Sequence, residues 1–136
     1  MKTFLDSGVL LTAWKGKEAD ARVAIGIMED PAREFFTAAT VKMELLPKAF
    51  YFKNRGEVEF YSRHFAEVSA EEPLSEELGE RAFALAKKYG LATVDALNIA
   101  AALKQGVQEF ITSELPGKAL FRVPGIRVVT LHAAAK

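Results

Sequence analysis

The chain of 136 residues contains no cysteine, which excludes a disulfide framework, a zinc–thiolate centre and a thiol nucleophile. That absence fits a reducing compartment. Long apolar runs are missing too. The opening MKTFLDSG sets an aspartate after two apolar residues, unlike a signal or transit peptide. No stretch approaches the roughly 20 apolar residues that a membrane-crossing helix needs, so a cytoplasmic protein is expected. Net charge is also absent, 18 basic residues balancing 18 acidic ones. A general nucleic-acid coat is basic, so nucleic-acid binding here must come from a local patch or from brief catalytic contact. Histidine is scarce: His64 and His132 are the only two, neither lies near an acid in sequence, and both are expected at the surface or in packing.

What is present is an ordinary globular balance, half hydrophobic and 26% charged, at a length that suits one domain with a real core. There is no internal repeat, and the nearest thing to a linker, residues 69–73 (SAEEP), is too short to separate domains. A single domain over residues 1–132 with a fraying tail at 133–136 is expected.

Hydrophobic patterning predicts strands at residues 2–5 (KTFL), 34–39 (EFFTAA), 109–112 (EFIT) and 127–131 (RVVTL), the last a continuous apolar run of the kind buried in parallel sheets. Residues 7–14 read as an apolar turn or short helix, and 17–28 as a helix closed by Asp30-Pro31. Thr40 stands where an N-cap belongs before a helix over 41–52, and Pro47 within it predicts a kink or an irregular turn. Two more helices are expected at 56–68 and 75–89, the second capped by Ser75, with Glu76 and Glu77 in its first turn and Gly90 at its end. The segment LATVDALNIAAALKQG then reads as a helix buried on most sides and stopped by Gly106. Alternating strands and helices imply an α/β domain with helices on both faces of the sheet.

Four acids recur at one kind of place. Asp6 follows the first strand, Glu44 lies one turn into the helix after the second, Asp95 opens the buried helix, and Glu114 comes two residues after EFIT. Each alone has a structural explanation, as a cap, a wet helix face, a dipole partner or a loop residue. In a parallel sheet, however, all four fall at the carboxyl edge of the strands, where ligands bind. Carboxylates so clustered repel one another and stay ionised only around a cation. An all-oxygen donor set suits Mg²⁺ or Mn²⁺. Such an ion polarises a phosphate, lowers the pKa of a water and steadies attacking and leaving oxygens, so metal-assisted phosphodiester hydrolysis is the chemistry that fits.

The stretches TFLDSGVLL, ATVKMELL and VDALNIAAALKQGVQEFITSE, in this order and covering nearly the whole chain, resemble PIN domains, particularly the toxin-like branch called VapC. The resemblance implies a three-layer α/β/α sandwich around a mostly parallel sheet. It also implies a Mg²⁺- or Mn²⁺-dependent ribonuclease that acts on RNA, is commonly a homodimer, and, in toxins, is blocked by a small antitoxin protein. Its catalytic and metal-binding acids map onto Asp6, Glu44, Asp95 and Glu114, and its supporting polar residues onto Ser7, Asn98 and Thr112. Two departures stand out: the last acid is usually Asp and here is Glu114, and Asn98 stands where many relatives carry His. Haloacid-dehalogenase-type phosphatases also open on a strand and an Asp, but they carry a second Asp two residues on, where this chain has Gly8.

The expected function is therefore an endoribonuclease, the toxin of a toxin–antitoxin pair. The alternatives are a non-toxin PIN nuclease in RNA processing and a non-catalytic PIN-fold module that binds nucleic acid or protein. Lys15, Lys17, Lys42, Lys48, Lys118 and Arg122 are candidates for holding RNA phosphates, which would position a strand without reading its sequence. Tyr51 and Phe52, in KAFYFKN, are expected in the core in preference to an interface, and Trp14 in packing.

Overall fold

The computed structural model describes residues 1–134, the last two through their backbone, so half of the 133–136 tail lies outside the described residues. In chain order the elements are β1 (Lys2–Leu5), α1 (Ser7–Lys15), α2 (Glu18–Met28), β2 (Glu34–Ala38), α3 (Ala39–Tyr51), α4 (Arg55–Glu67), β3 (Ala70–Glu72), α5 (Glu76–Tyr89), α6 (Thr93–Lys104), β4 (Glu109–Thr112), a 3₁₀ turn (Ala119–Arg122), β5 (Arg127–Thr130) and α7 (Leu131–Ala134). Among the described residues, no helix is long and apolar enough to cross a membrane.

The five strands form one sheet in the order β3-β2-β1-β4-β5, parallel throughout. β1 lies at its centre: Phe4 stands opposite Phe36 on one side and Phe110 on the other. The Phe4 and Phe110 rings stack with centroids 5.2 Å apart. Phe4, Leu5, Phe110 and Ile111 are fully buried, as strands covered on both faces must be. Right-handed crossovers place α1 to α4, which link β1 to β2 and β2 to β3, on one face, and α5 and α6, which carry the chain back over the sheet to β4, on the other. This is the expected three-layer sandwich. α6 can press against the strands because its inner face is Ala96, Ile99, Ala100, Ala101 and Ala102, small enough to bring the helix close.

At the amino edge of the sheet, buried Glu109 accepts from Arg33 Nε at 3.1 Å and Thr3 Oγ1 at 3.2 Å, and Arg33 also reaches Asp30. A buried carboxylate with such partners is a structural device, far from the opposite edge where the other acids gather.

Several details depart from expectation. Residues 70–72 form a short edge strand where a loop was expected, because AEE has no apolar periodicity. Its charges blunt an exposed edge and pair outward, Glu71 with Lys42 and Glu72 with Lys104. α3 begins at Ala39, directly off β2, and Thr40 is not its cap; its N-cap is Ala38, with no side-chain bond. Pro47 sits inside a continuous α3 on its exposed side, where water can serve the carbonyl its missing N–H leaves free. Tyr51 and Phe52 are not core: they are 79% and 66% exposed. The buried stripe of α3 is Val41, Leu45 and Ala49, and the helix ends before its phase brings another aromatic inward. Trp14 does pack, against Phe60 at 5.5 Å, and Gly56 leaves room for it, since a Cβ there would lie 3.0 Å from the indole. His64 is buried between Phe35 and Phe65, while His132 is partly exposed on the surface.

Candidate active site

The chain leaves β1 toward β2 on one side of the sheet and leaves β4 toward β5 on the other, so a crevice opens between the carboxyl ends of β1 and β4. Asp6 stands at its floor, buried, immediately after β1. Its backbone N–H continues the ladder to the Ile111 carbonyl at 2.9 Å. As the N-cap of α1, its Oδ1 accepts from Ser7 N at 2.9 Å. Its Oδ2 accepts from Thr112 Oγ1 at 3.1 Å, and that hydroxyl accepts in turn from Glu114 N at 3.2 Å. The end of β4 therefore aims both Asp6 and the loop that carries Glu114. Gly8 makes this approach possible: a Cβ at that position would meet Ser113 Oγ at 2.1 Å.

The fully buried Asn98, on α6, spans the acids. Its Nδ2 donates to Asp6 Oδ1 and to Glu44 Oε1, each at 3.4 Å, and its Oδ1 accepts from the hydroxyl of Thr40. Ser7 contributes through its backbone, and its side chain lines the neighbouring cleft. Thr40 has a role in this site that its position in the sequence conceals. Placed like a helix cap, it was one turn before Glu44, and that spacing is the one signal that could have put it on the same face.

Electrostatics tie the four acids together. Burial pushes the Asp6 carboxyl up to about 7, with further push from Asp95 and Glu44, against the hydrogen bonds from Ser7 N and Thr112. Asp95 is pushed up to about 6 by its burial, then by Glu114 and Glu44. Among the described residues, none of the four is in an ion pair with a lysine or arginine. Perturbed, like-charged groups lining a crevice are typical of sites that do chemistry. Among the described residues, no three acidic or histidine side chains stand close enough to enclose a metal ion as they are placed. The donor chemistry fits a hard cation, all oxygen and short of positive charge. Closing on one requires rotation by exposed Glu44 and by half-buried Asp95 and Glu114, while Asp6 is fixed by its hydrogen bonds.

Beside Glu44 a cleft of about 350 Å³ runs between α1 and α3, lined among others by Ser7, Lys15, Glu44, Lys48 and Phe52. Of the basic residues singled out from sequence, Lys15 and Lys48 thus border the site. Lys42 does not serve it: its ammonium pairs with Glu71 and lies over the Phe65 ring. Lys17, Lys118 and Arg122 are exposed.

The fold has relatives among solved structures. A chain of a toxin–antitoxin complex from Klebsiella pneumoniae superposes with a TM-score of 0.70 at 23% identity, over 95% of this chain and 97% of that one. A chain of VapBC2 from Rickettsia felis, bound to a DNA fragment from its promoter, gives 0.69 at 12% identity over 96% and 98%. VapC20 of Mycobacterium tuberculosis, a sarcin–ricin-loop-cleaving toxin, gives 0.65 at 19% identity over 86% and 92%. No curated protein matches the chain in sequence. The PIN-domain signature, however, matches residues 3–114, a span that runs from β1 to Glu114 and holds all four acids, and by that match this chain belongs to the PIN-domain family.

Proposed function

We propose that this chain is a Mg²⁺- or Mn²⁺-dependent endoribonuclease, the toxin of a toxin–antitoxin pair. One observation carries the reading: Asp6, Glu44, Asp95 and Glu114 face one crevice at the sheet's carboxyl edge, and among the described residues none of them is ion-paired to a lysine or arginine. A divalent cation held there would supply polarisation of a phosphodiester and a lowered pKa for a water. Asp6, Glu44 and Asp95 would hold it, with Glu114 assisting or holding a second. Asp6 is the rigid ligand, oriented by Ser7 N, Thr112 and Asn98. Lys15 and Lys48, which line the adjoining cleft, would hold phosphates of the RNA strand next to the bond that breaks. Hydrolysis breaks that phosphorus–oxygen bond; the oxygen of water bonds to phosphorus in its place, and a proton from that water ends on the leaving oxygen.

The toxin assignment draws on the solved structures of similar fold, which come from toxin–antitoxin complexes. The exposed apolar side chains Met43, Phe50, Tyr51 and Phe52, close to the site on α3 and its end, suit a protein partner, whether an antitoxin or a second copy in a homodimer. Such a toxin would act in the cytoplasm. The direct test incubates purified protein, freed of any copurifying partner, with RNA. Cleavage should appear with Mn²⁺ or Mg²⁺, stop with EDTA and be lost in Asp95→Asn; a protein that cuts nothing and shows no metal-dependent thermal shift sinks the enzymatic reading.

A further inference from the structure

We infer that Thr40 is a positioning residue for the cation site, acting through Asn98 to hold Glu44. The inference rests on the metal-dependent reading above. Asn98 is fully buried and Thr40 nearly so. A buried side-chain amide has one acceptor and two donor hydrogens, and here all are used: Oδ1 takes the Thr40 hydroxyl, and Nδ2 donates to Asp6 and Glu44. The two ends of the amide are not interchangeable in this setting. Turned over, Asn98 would point its oxygen at two carboxylates and its NH₂ at Thr40. With the Thr40 hydroxyl donating to the oxygen, the amide presents its positive end to the acids.

The consequence falls unequally on the acids. Asp6 keeps its bonds to Ser7 N and Thr112 whatever Asn98 does. Glu44 is exposed, and among the described residues Asn98 is the only side chain hydrogen-bonded to it. Thr40 precedes Glu44 by four residues on α3, so one turn of helix presents both the acid and the hydroxyl that sets its tether. Removing that hydroxyl leaves every charge in the site unchanged but releases the Asn98 amide, and with it Glu44. A residue that, among the described residues, hydrogen-bonds to Asn98 and to no carboxylate thereby sets how well the acids close on a cation, as partners of metal ligands do elsewhere.

The test titrates Mn²⁺ against thermal stability in wild type, Thr40→Val and Thr40→Ser, with RNA cleavage measured in parallel. Thr40→Val keeps the shape and loses the hydroxyl; the Mn²⁺ needed for half-maximal stabilisation should rise roughly tenfold, and Thr40→Ser should stay within about twofold of wild type. In the cation-free protein, the Asn98 side-chain NH₂ should give two resolved, slowly exchanging NMR signals in wild type and Thr40→Ser, and should lose them in Thr40→Val. That readout separates loss of the tether from general unfolding. Asn98→Leu should match Thr40→Val in Mn²⁺ response, and the double variant should be no worse than either. Equal Mn²⁺ response in Thr40→Val and wild type overturns the proposal, as does failure of serine to restore it. A flat titration in wild type itself overturns the metal reading along with it, and is recognised because no variant is then needed to see it.

Discussion

Asp95 lies in the first turn of α6, a helix buried along most of its length, and its surroundings hold its charge at a cost. Asp95→Asn removes one of four mutually repelling charges while keeping the side chain's shape. In the absence of a divalent cation, this variant should be more stable than wild type at pH 7.5, by on the order of 1 kcal/mol after solvent screening of a half-buried group. With Mn²⁺ the order should invert, because only wild type gains from the ion; thermal melts with and without EDTA measure both. Destabilisation of Asp95→Asn in EDTA would mean the residue is structural. His64 makes a second case at this scale. Burial lowers its imidazole from 6.5 to about 4, and its Nε2 has no partner among the described residues. The unfolded chain takes up that proton below 6.5 and the folded chain does not until about 4, so His64 withdraws stability as pH falls through this window. His64→Leu should therefore look about 2 kcal/mol better, relative to wild type, at pH 5 than at pH 8 by urea denaturation. A variant whose effect is the same at both pH values would place the imidazole in contact with water.

At the scale of elements, two local arrangements invite substitution. α3 ends in a Schellman motif: Asn54 N bonds to the Ala49 carbonyl and Lys53 N to the Phe50 carbonyl, each at 3.0 Å, with Lys53 at φ 54 where glycine is usual. Lys53→Gly should stabilise the protein by roughly 1 kcal/mol in chemical denaturation, and Lys53→Val should cost more than that. Arg33, in the loop before β2, is the only cation paired with buried Glu109 among the described residues. Arg33→Met should cost about 3 kcal/mol by stranding that carboxylate, and Glu109→Gln in the same chain should recover much of the loss. Elements also mark where the sequence was readable. Strands such as KTFL and EFIT announce themselves because burial on both faces demands unbroken apolar residues, and Ser75 and Gly90 bracket α5 because caps are chemically specific. β3 was illegible because three residues, two of them glutamates, carry no periodicity and pair only as an edge. Tyr51 and Phe52 misled because hydrophobicity says nothing about the phase at which a helix stops.

Taken whole, the molecule sets two opposing titrations against each other. Asp6 and Asp95 bind protons more tightly folded than unfolded, from 3.8 up to about 7 and about 6, so each withdraws stability as pH rises through its window. His64 acts the other way between about 4 and 6.5. Two groups outweigh one, and the cation-free protein should melt higher at pH 5 than at pH 7.5; saturating Mn²⁺ should reverse that order, as scanning calorimetry at the two pH values would reveal. A metal-free melting point that climbs from pH 5 to pH 7.5 would contradict the crowding of acids at the sheet's edge. The placement of Asp6, Glu44, Asp95 and Glu114 on this edge was legible because each follows a strand or opens a helix, and parallel topology turns that sequence pattern into proximity. Thr40 was not, because its use depends on α6 crossing the sheet to bring Asn98 within reach, a contact 58 residues away.

The central position of β1 also governs when the site can exist during synthesis. Of the five strands, β1 leaves the ribosome first and is the middle of the sheet, and one of its two neighbours is β4; the bond from Thr112 to Asp6 joins residues 106 positions apart. A nascent chain ending before β4 already carries Asp6, Glu44 and Asp95, yet it lacks the strand that fixes Asp6 and the loop that brings Glu114. Asp6 and Glu44 are thus translated well before the site can be assembled. The order of strands therefore delays assembly of the site until β4 and the loop after it have been made.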